Sequence, residues 1–178
     1  TPFEAQIDIA DRLGIEKMVI SRPIAAQSGS KASPGEVREC NDLVIKAMKK
    51  YPDRYLGEVY INPLFQKESL EEIDRCIDNG MVALKFYNQI KINDPLFYPI
   101  IEKFIDLNML MMGHASAGLG IGSYRTKYGN RQPDCSLPEE FAEAAGRYPE
   151  AMFQYAHLGG GGDWQRACKI LRNCPNVY

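Results

Sequence analysis

Apolar residues follow two alternating rhythms along this chain. One has helical spacing: Phe3, Ile7, Ala10 and Leu13; then Val37, Cys40, Leu43, Val44, Ala47 and Met48; then Leu70, Ile73 and Ile77. It returns in Phe97, Ile100, Ile101, Phe104 and Ile105, in Phe141, Ala144, Ala145 and Tyr148, and in Ala167, Ile170 and Leu171. Between these lie short apolar runs near residues 18, 55, 81, 109, 152 and 176, each preceded by a helical stretch. The runs are mostly continuous rather than alternating, as in parallel strands covered on both faces. The pattern predicts an α/β fold, either a TIM-type barrel or an open doubly wound sheet. No Gly-x-Gly-x-x-Gly follows the first strand, which disfavours a dinucleotide site.

Polar and special residues set the boundaries. Thr1-Pro2-Phe3-Glu4 and Ser136-Leu137-Pro138-Glu139 read as capping boxes that open helices. Gly14 and Gly80 read as helix stops, and Asp163 as the cap of the last helix. The spacing predicts helices over 36–50, 67–79 and 94–107. Loops are expected at 22–35 and 115–135.

At 178 residues the chain has room for one good core, and 45 % hydrophobic with 25 % charged residues is ordinary for a globular protein. Net charge is −2 with no basic run, which argues against a nucleic-acid partner. No apolar stretch reaches the roughly 18–20 residues of a membrane span. The five cysteines form no C-x-x-C, and we read them as reduced thiols, most of them buried, in a cytoplasmic protein. The chain begins without methionine and ends one step into a strand, so it is expected to be a segment of a longer protein.

The candidate chemistry sits at strand ends, where such folds place their sites. The chain has two histidines. His114 closes Met109–Gly113, and His157 closes Met152–Ala156 ahead of Leu158 and the glycines 159–162. Together they point to a metal or acid–base site. Equivalent positions add Ser21, Arg22, Asn62, Lys85 and Tyr87 around a common mouth. Lys85 lies inside an apolar strand, which is costly unless the ammonium reaches the mouth or a partner. It is a candidate contact for an anionic substrate, a candidate for carbon dioxide modification into a bridging metal ligand, or a lysine that snorkels to the rim. Asn62, before Pro63, is a candidate substrate contact or a strand terminator. Arg125, in the loop after His114, is a candidate carboxylate clamp or a solvated surface charge.

These residues resemble a known family. The order Asn41-Asp42, Tyr51–Gly57, Ile61-Asn62-Pro63, Gly80–Lys85, the His114 strand, Arg147-Tyr148-Pro149 and Ala156–Gly160 is similar to the amidohydrolase-related group, which includes aminocarboxymuconate semialdehyde decarboxylase. The resemblance implies a (β/α)8 barrel of which this chain, as a single partial domain over 1–178, covers about strands 2–7. It implies a divalent metal, zinc above all. It implies His114 as the fifth-strand metal ligand and His157 as the catalytic acid–base or second-metal residue. Lys85, Asn62 and Arg125 are the expected substrate contacts. The family's His-x-His and its last-strand aspartate are not in this chain. The implied activity is a hydrolase working through metal-activated water on a small carbonyl or carboxylate compound. The alternatives are a decarboxylase or hydratase of the same family, or a catalytically silent barrel segment. Six strands of eight leave open sheet edges and an exposed apolar interior, which predicts that the segment without the rest of its barrel is unstable or a homo-oligomer.

Overall fold

The computed structural model describes residues 2–24, 32–87, 89–115, 136–157 and 164–178. Helices and strands alternate: α1 (Pro2–Arg12), β1 (Met18–Ile20), α2 (Pro34–Lys50), β2 (Tyr55–Tyr60), α3 (Gln66–Asp78), β3 (Ala83–Phe86), α4 (Tyr98–Asp106), β4 (Leu110–Gly113), α5 (Pro138–Arg147), β5 (Met152–Tyr155) and α6 (Trp164–Leu171). The five strands pair in parallel in the order β1-β2-β3-β4-β5. A sixth begins where the pattern places it. Val177 bridges Phe153, with Phe153 N–H donating to the Asn176 carbonyl at 2.9 Å and Tyr178 N–H to the Phe153 carbonyl at 2.8 Å. Sequential parallel neighbours joined by helices make this part of a (β/α) barrel rather than a doubly wound sheet, whose strand order reverses.

Alternation along the strands separates two faces. Val59, Leu84, Phe86, Met111 and Phe153 are fully buried and pack with Ile73, Phe104 and Phe141 of the helices in one core. Glu58, Lys85, Met112 and Gln154 lie at the intervening positions and project to the other face, the barrel interior. Register fixes the rows there: Glu58 opposes Ala83, Tyr60 opposes Lys85, Lys85 opposes Met112, and Met112 opposes Gln154.

The helix boundaries depart from the sequence expectation in instructive ways. α2 starts two residues early, because Ser33 and Glu36 form a reciprocal capping box. The Ser33 N–H donates to the Glu36 carboxylate at 2.8 Å, and the Glu36 N–H donates to Ser33 Oγ at 3.3 Å. The expected helix over 94–107 divides. Asp94 caps a 3₁₀ turn at Pro95–Phe97, and the α-helix proper begins at Tyr98-Pro99. At α5, Leu137 is the N-cap rather than Ser136, and its N–H donates to Glu140 at 2.6 Å. Ser136 Oγ instead accepts from the Ile92 N–H. Gly80, at φ 90, ends α3 as expected. The Thr1 box and the Asp163 cap lie outside the described residues. Of the described cysteines, Cys76 is buried, Cys40 and Cys174 are half-buried, and Cys168 is exposed, so burial is less general than expected, and Cys135 lies outside the described residues. Among the described residues no helix is long and apolar enough to cross a membrane.

Asn41 and Asp42 serve the frame. The Asn41 amide donates to the Tyr60 carbonyl and accepts from the Tyr60 N–H, both at 2.9 Å, as a neighbouring strand would. β1 pairs with β2 only as far as Gly57, so this buried side chain satisfies backbone groups that β1 does not reach. The same amide donates to Glu72 at 2.9 Å, while Asp42 pairs with Arg75 at 2.8 Å.

Candidate functional site

His114 follows directly on β4, and its N–H donates to the Phe86 carbonyl at 3.1 Å, which ties it to the end of β3. Its ring is half-buried and lies nearly parallel to Tyr87, with centroids 4.1 Å apart and planes 26° apart. Tyr87 stands one residue beyond β3, so two adjacent strand ends hold the imidazole.

His157 reaches the same place by a different route. Alternation from Tyr155, which packs on Phe141, would send residue 157 toward the helices. Instead Ala156 turns, its N–H bonded to the Gly113 carbonyl at 3.2 Å, and His157 adopts φ 64. This left-handed conformation is uncommon for a residue with a Cβ, and histidine is among the few that tolerate it. The turn brings His157 Nε2 to 2.8 Å from His114 Nδ1, with the rings at 79°. One of two facing imidazole nitrogens must carry the shared hydrogen when nothing else lies between them. His157 is exposed at the mouth, yet partial desolvation of its ring, and secondarily the Lys85 ammonium, hold its pKa below the ordinary 6.5. Both effects favour the neutral ring, which keeps a lone pair.

Lys85 projects into the interior and is only 8 % exposed. Its charge acts electrostatically on both His157 and Glu58. Glu58 is 2 % exposed and bonded to Ser21, at the end of β1. Burial pushes its carboxyl up, against the opposing effects of Ser21 and Lys85. Glu58 was not among the residues singled out from the sequence. The signal existed: it is a charged residue inside the apolar strand Tyr55–Tyr60, the argument already applied to Lys85.

The structure brings His114, His157, Tyr87 and Lys85 to one region of the strand ends. Asn62 is buried and bonded to backbone: its amide donates to the Ala32 carbonyl at 2.8 Å and accepts from Leu64 N–H at 3.2 Å. Its own carbonyl accepts from Ser69 Oγ at 2.8 Å. These bonds fix the loops on either side of the strand end. Arg125 and the glycines after Leu158 lie outside the described residues.

The histidine pair fits part of a metal site. Two imidazole nitrogens on one zinc, each at about 2.1 Å, lie roughly 3–3.4 Å apart, so the pair needs only a small opening. Among the described residues no group of three or more His, Cys, Asp or Glu converges, so the pair is a partial ligand set.

Comparison with known proteins agrees with this architecture. A family model described as amidohydrolase matches residues 12–178. The fold is similar to that of an uncharacterised TIM-barrel protein from Bordetella bronchiseptica, at 20 % identity and TM-score 0.69, covering 98 % of this chain and 57 % of that one. It is also similar to 4-oxalomesaconate hydratase from Rhodopseudomonas palustris, at 22 % identity and TM-score 0.68, with 98 % and 57 % covered. A third is 5-carboxyvanillate decarboxylase from Novosphingobium aromaticivorans, complexed with manganese and 4-hydroxy-3-methoxy-5-nitrobenzoic acid. It is 18 % identical with TM-score 0.65, and 87 % and 49 % are covered. The chain thus spans about half the length of these structures. No curated protein matches it.

Proposed function

The chain belongs to the amidohydrolase family, and from that premise we propose that it contributes part of the site of a metal-dependent lyase, one that decarboxylates or hydrates a small carboxylate. The observation that carries this reading is the convergence of His114 and His157 beside the buried cation of Lys85. His114 would hold the divalent metal, zinc or manganese, with Tyr87 fixing its ring. When bound, the metal polarises an oxygen of the substrate or lowers the pKa of a water molecule. His157, neutral and with Nε2 turned into the site, takes and returns a proton there. Lys85, itself withdrawn from water, pairs with the substrate carboxylate, and its burial strengthens the attraction. The similarity to a hydratase and a decarboxylase supports lyase chemistry over the hydrolysis first expected from the family resemblance.

The test is metal analysis joined to a substrate panel. Protein loaded with zinc or manganese is offered hydroxybenzoates, unsaturated dicarboxylates, and esters and amides. Carbon dioxide release or loss of the conjugated double bond supports the proposal, and both should vanish on chelation and in His114→Ala. Turnover of the esters or amides alone would replace it with hydrolysis. Absence of bound metal with unaltered behaviour of His114→Ala would end it.

A further inference from the structure

We infer that Glu58 positions Lys85 so that its ammonium is presented to an anionic group of the substrate, an inference that rests on the site reading proposed above. Glu58 and Lys85 sit on neighbouring strands and on the same interior face. Because Tyr60 opposes Lys85 and Glu58 opposes Ala83, Glu58 lies one pleat below Lys85, diagonal to it. Long side chains meet across such diagonals. Both are withdrawn from solvent, at 2 % and 8 % exposure. Either charge alone in that environment is costly, and each offsets the other. The Ser21 hydroxyl, from the end of β1, anchors Glu58 from a third strand.

Lysine carries its charge on a flexible four-carbon stem and tends to extend toward water. Glu58, one pleat beneath Lys85 on the neighbouring strand, attracts the ammonium electrostatically toward the interior. Glu58 is buried behind Lys85 and bonded to Ser21, so it acts on the substrate through Lys85. It is a positioning residue rather than a catalytic one. The ligand this arrangement takes is a carboxylate, whose charge Lys85 meets while Glu58 keeps the ammonium in place.

The experiment titrates manganese-loaded protein with 4-hydroxy-3-methoxy-5-nitrobenzoate, whose nitrophenol absorbance reports binding. Glu58→Gln is expected to weaken binding about tenfold, as loss of a buried charge that attracts the ammonium does, with manganese content unchanged. Lys85→Met should weaken it at least as much. The double variant should bind no more weakly than Lys85→Met alone, because Glu58 has no effect once Lys85 is gone. Additive losses, or wild-type affinity in Glu58→Gln, would overturn the inference while leaving the site reading intact. Manganese-loaded wild type that fails to bind the probe would overturn both. If Glu58→Gln does not fold, Ser21→Ala carries the test: it frees the carboxylate without changing any charge. It should weaken the probe about twofold to threefold beside Lys85 and have no effect in the Lys85→Met background. Unchanged affinity beside Lys85 would count against the inference.

Discussion

His157 meets His114 only because His157 departs from strand geometry: at φ 64 its Nε2 comes to 2.8 Å from His114 Nδ1. A residue with a Cβ gives up roughly 1 kcal/mol to hold such a conformation. Strain of this kind collects at functional sites, where the surrounding structure maintains it. His157→Gly removes the strain together with the imidazole. The expected variant is as stable as wild type or up to about 1 kcal/mol more stable in urea, and loses turnover by about 100-fold or more. A destabilised variant, or one with intact turnover, would contradict this account of His157.

Tyr87 stacks on His114 at 4.1 Å and restricts rotation of the ring. Groups that orient a metal-bound imidazole contribute roughly 10–100-fold to metal affinity. Tyr87→Ala should weaken metal binding by about tenfold in competition with a chromophoric chelator. Tyr87→Phe, which keeps the ring face, should bind as wild type does. Equal losses in both variants would assign the effect to the hydroxyl instead of the stack.

Much of this fold is legible in apolar spacing, because parallel βα units bury a continuous strand run against one helix stripe. The positions of His114 and Lys85 follow from that spacing alone. His157 does not: alternation points it toward the helices, and only a backbone angle invisible in the sequence turns it back. Asn41 was visible as part of a family pattern, yet its work, completing the hydrogen bonds of Tyr60, depends on β1 being short. Glu58 was readable by the rule applied to Lys85. The Ser33 cap was obscured because Pro34-Gly35 reads equally well as loop, although proline suits the first helical turn.

Gly113 sits where β4 passes between two aromatic rings. A Cβ built there would lie 2.5 Å from the Phe141 ring and closer still to Phe86. Those rings belong to the packed core and have little room to move. Gly113→Ala should cost about 1–3 kcal/mol in urea denaturation. It should also weaken metal binding, since residue 113 precedes His114. At Gly57 the added methyl meets the flexible Met48 side chain first, then Val44 at 2.9 Å and Met81 at 3.0 Å, with no aromatic ring among them, so Gly57→Ala should cost less. The reverse order would show that the β2–α2 contact is the tighter one.

Glu72 gives the chain a defined acid sensitivity. Burial raises its pKa, but the bonds from Arg75, Asn41 and Cys76 outweigh burial and hold the carboxyl below its ordinary 4.5. Arg75 contacts it through two nitrogens, at 2.6 and 2.8 Å. A carboxyl lowered on folding stabilises the protein above its unfolded pKa, and that contribution disappears as pH falls through the folded value. Stability should therefore be level near neutrality and decline below about pH 4–5. Glu72→Gln keeps the shape and removes the titration. It should be less stable than wild type at pH 7, because Arg75 and Asn41 lose a charged acceptor, and the difference should narrow as pH falls. Urea denaturation of both proteins between pH 7 and pH 3 measures this. Parallel curves would place the acid response at other carboxylates.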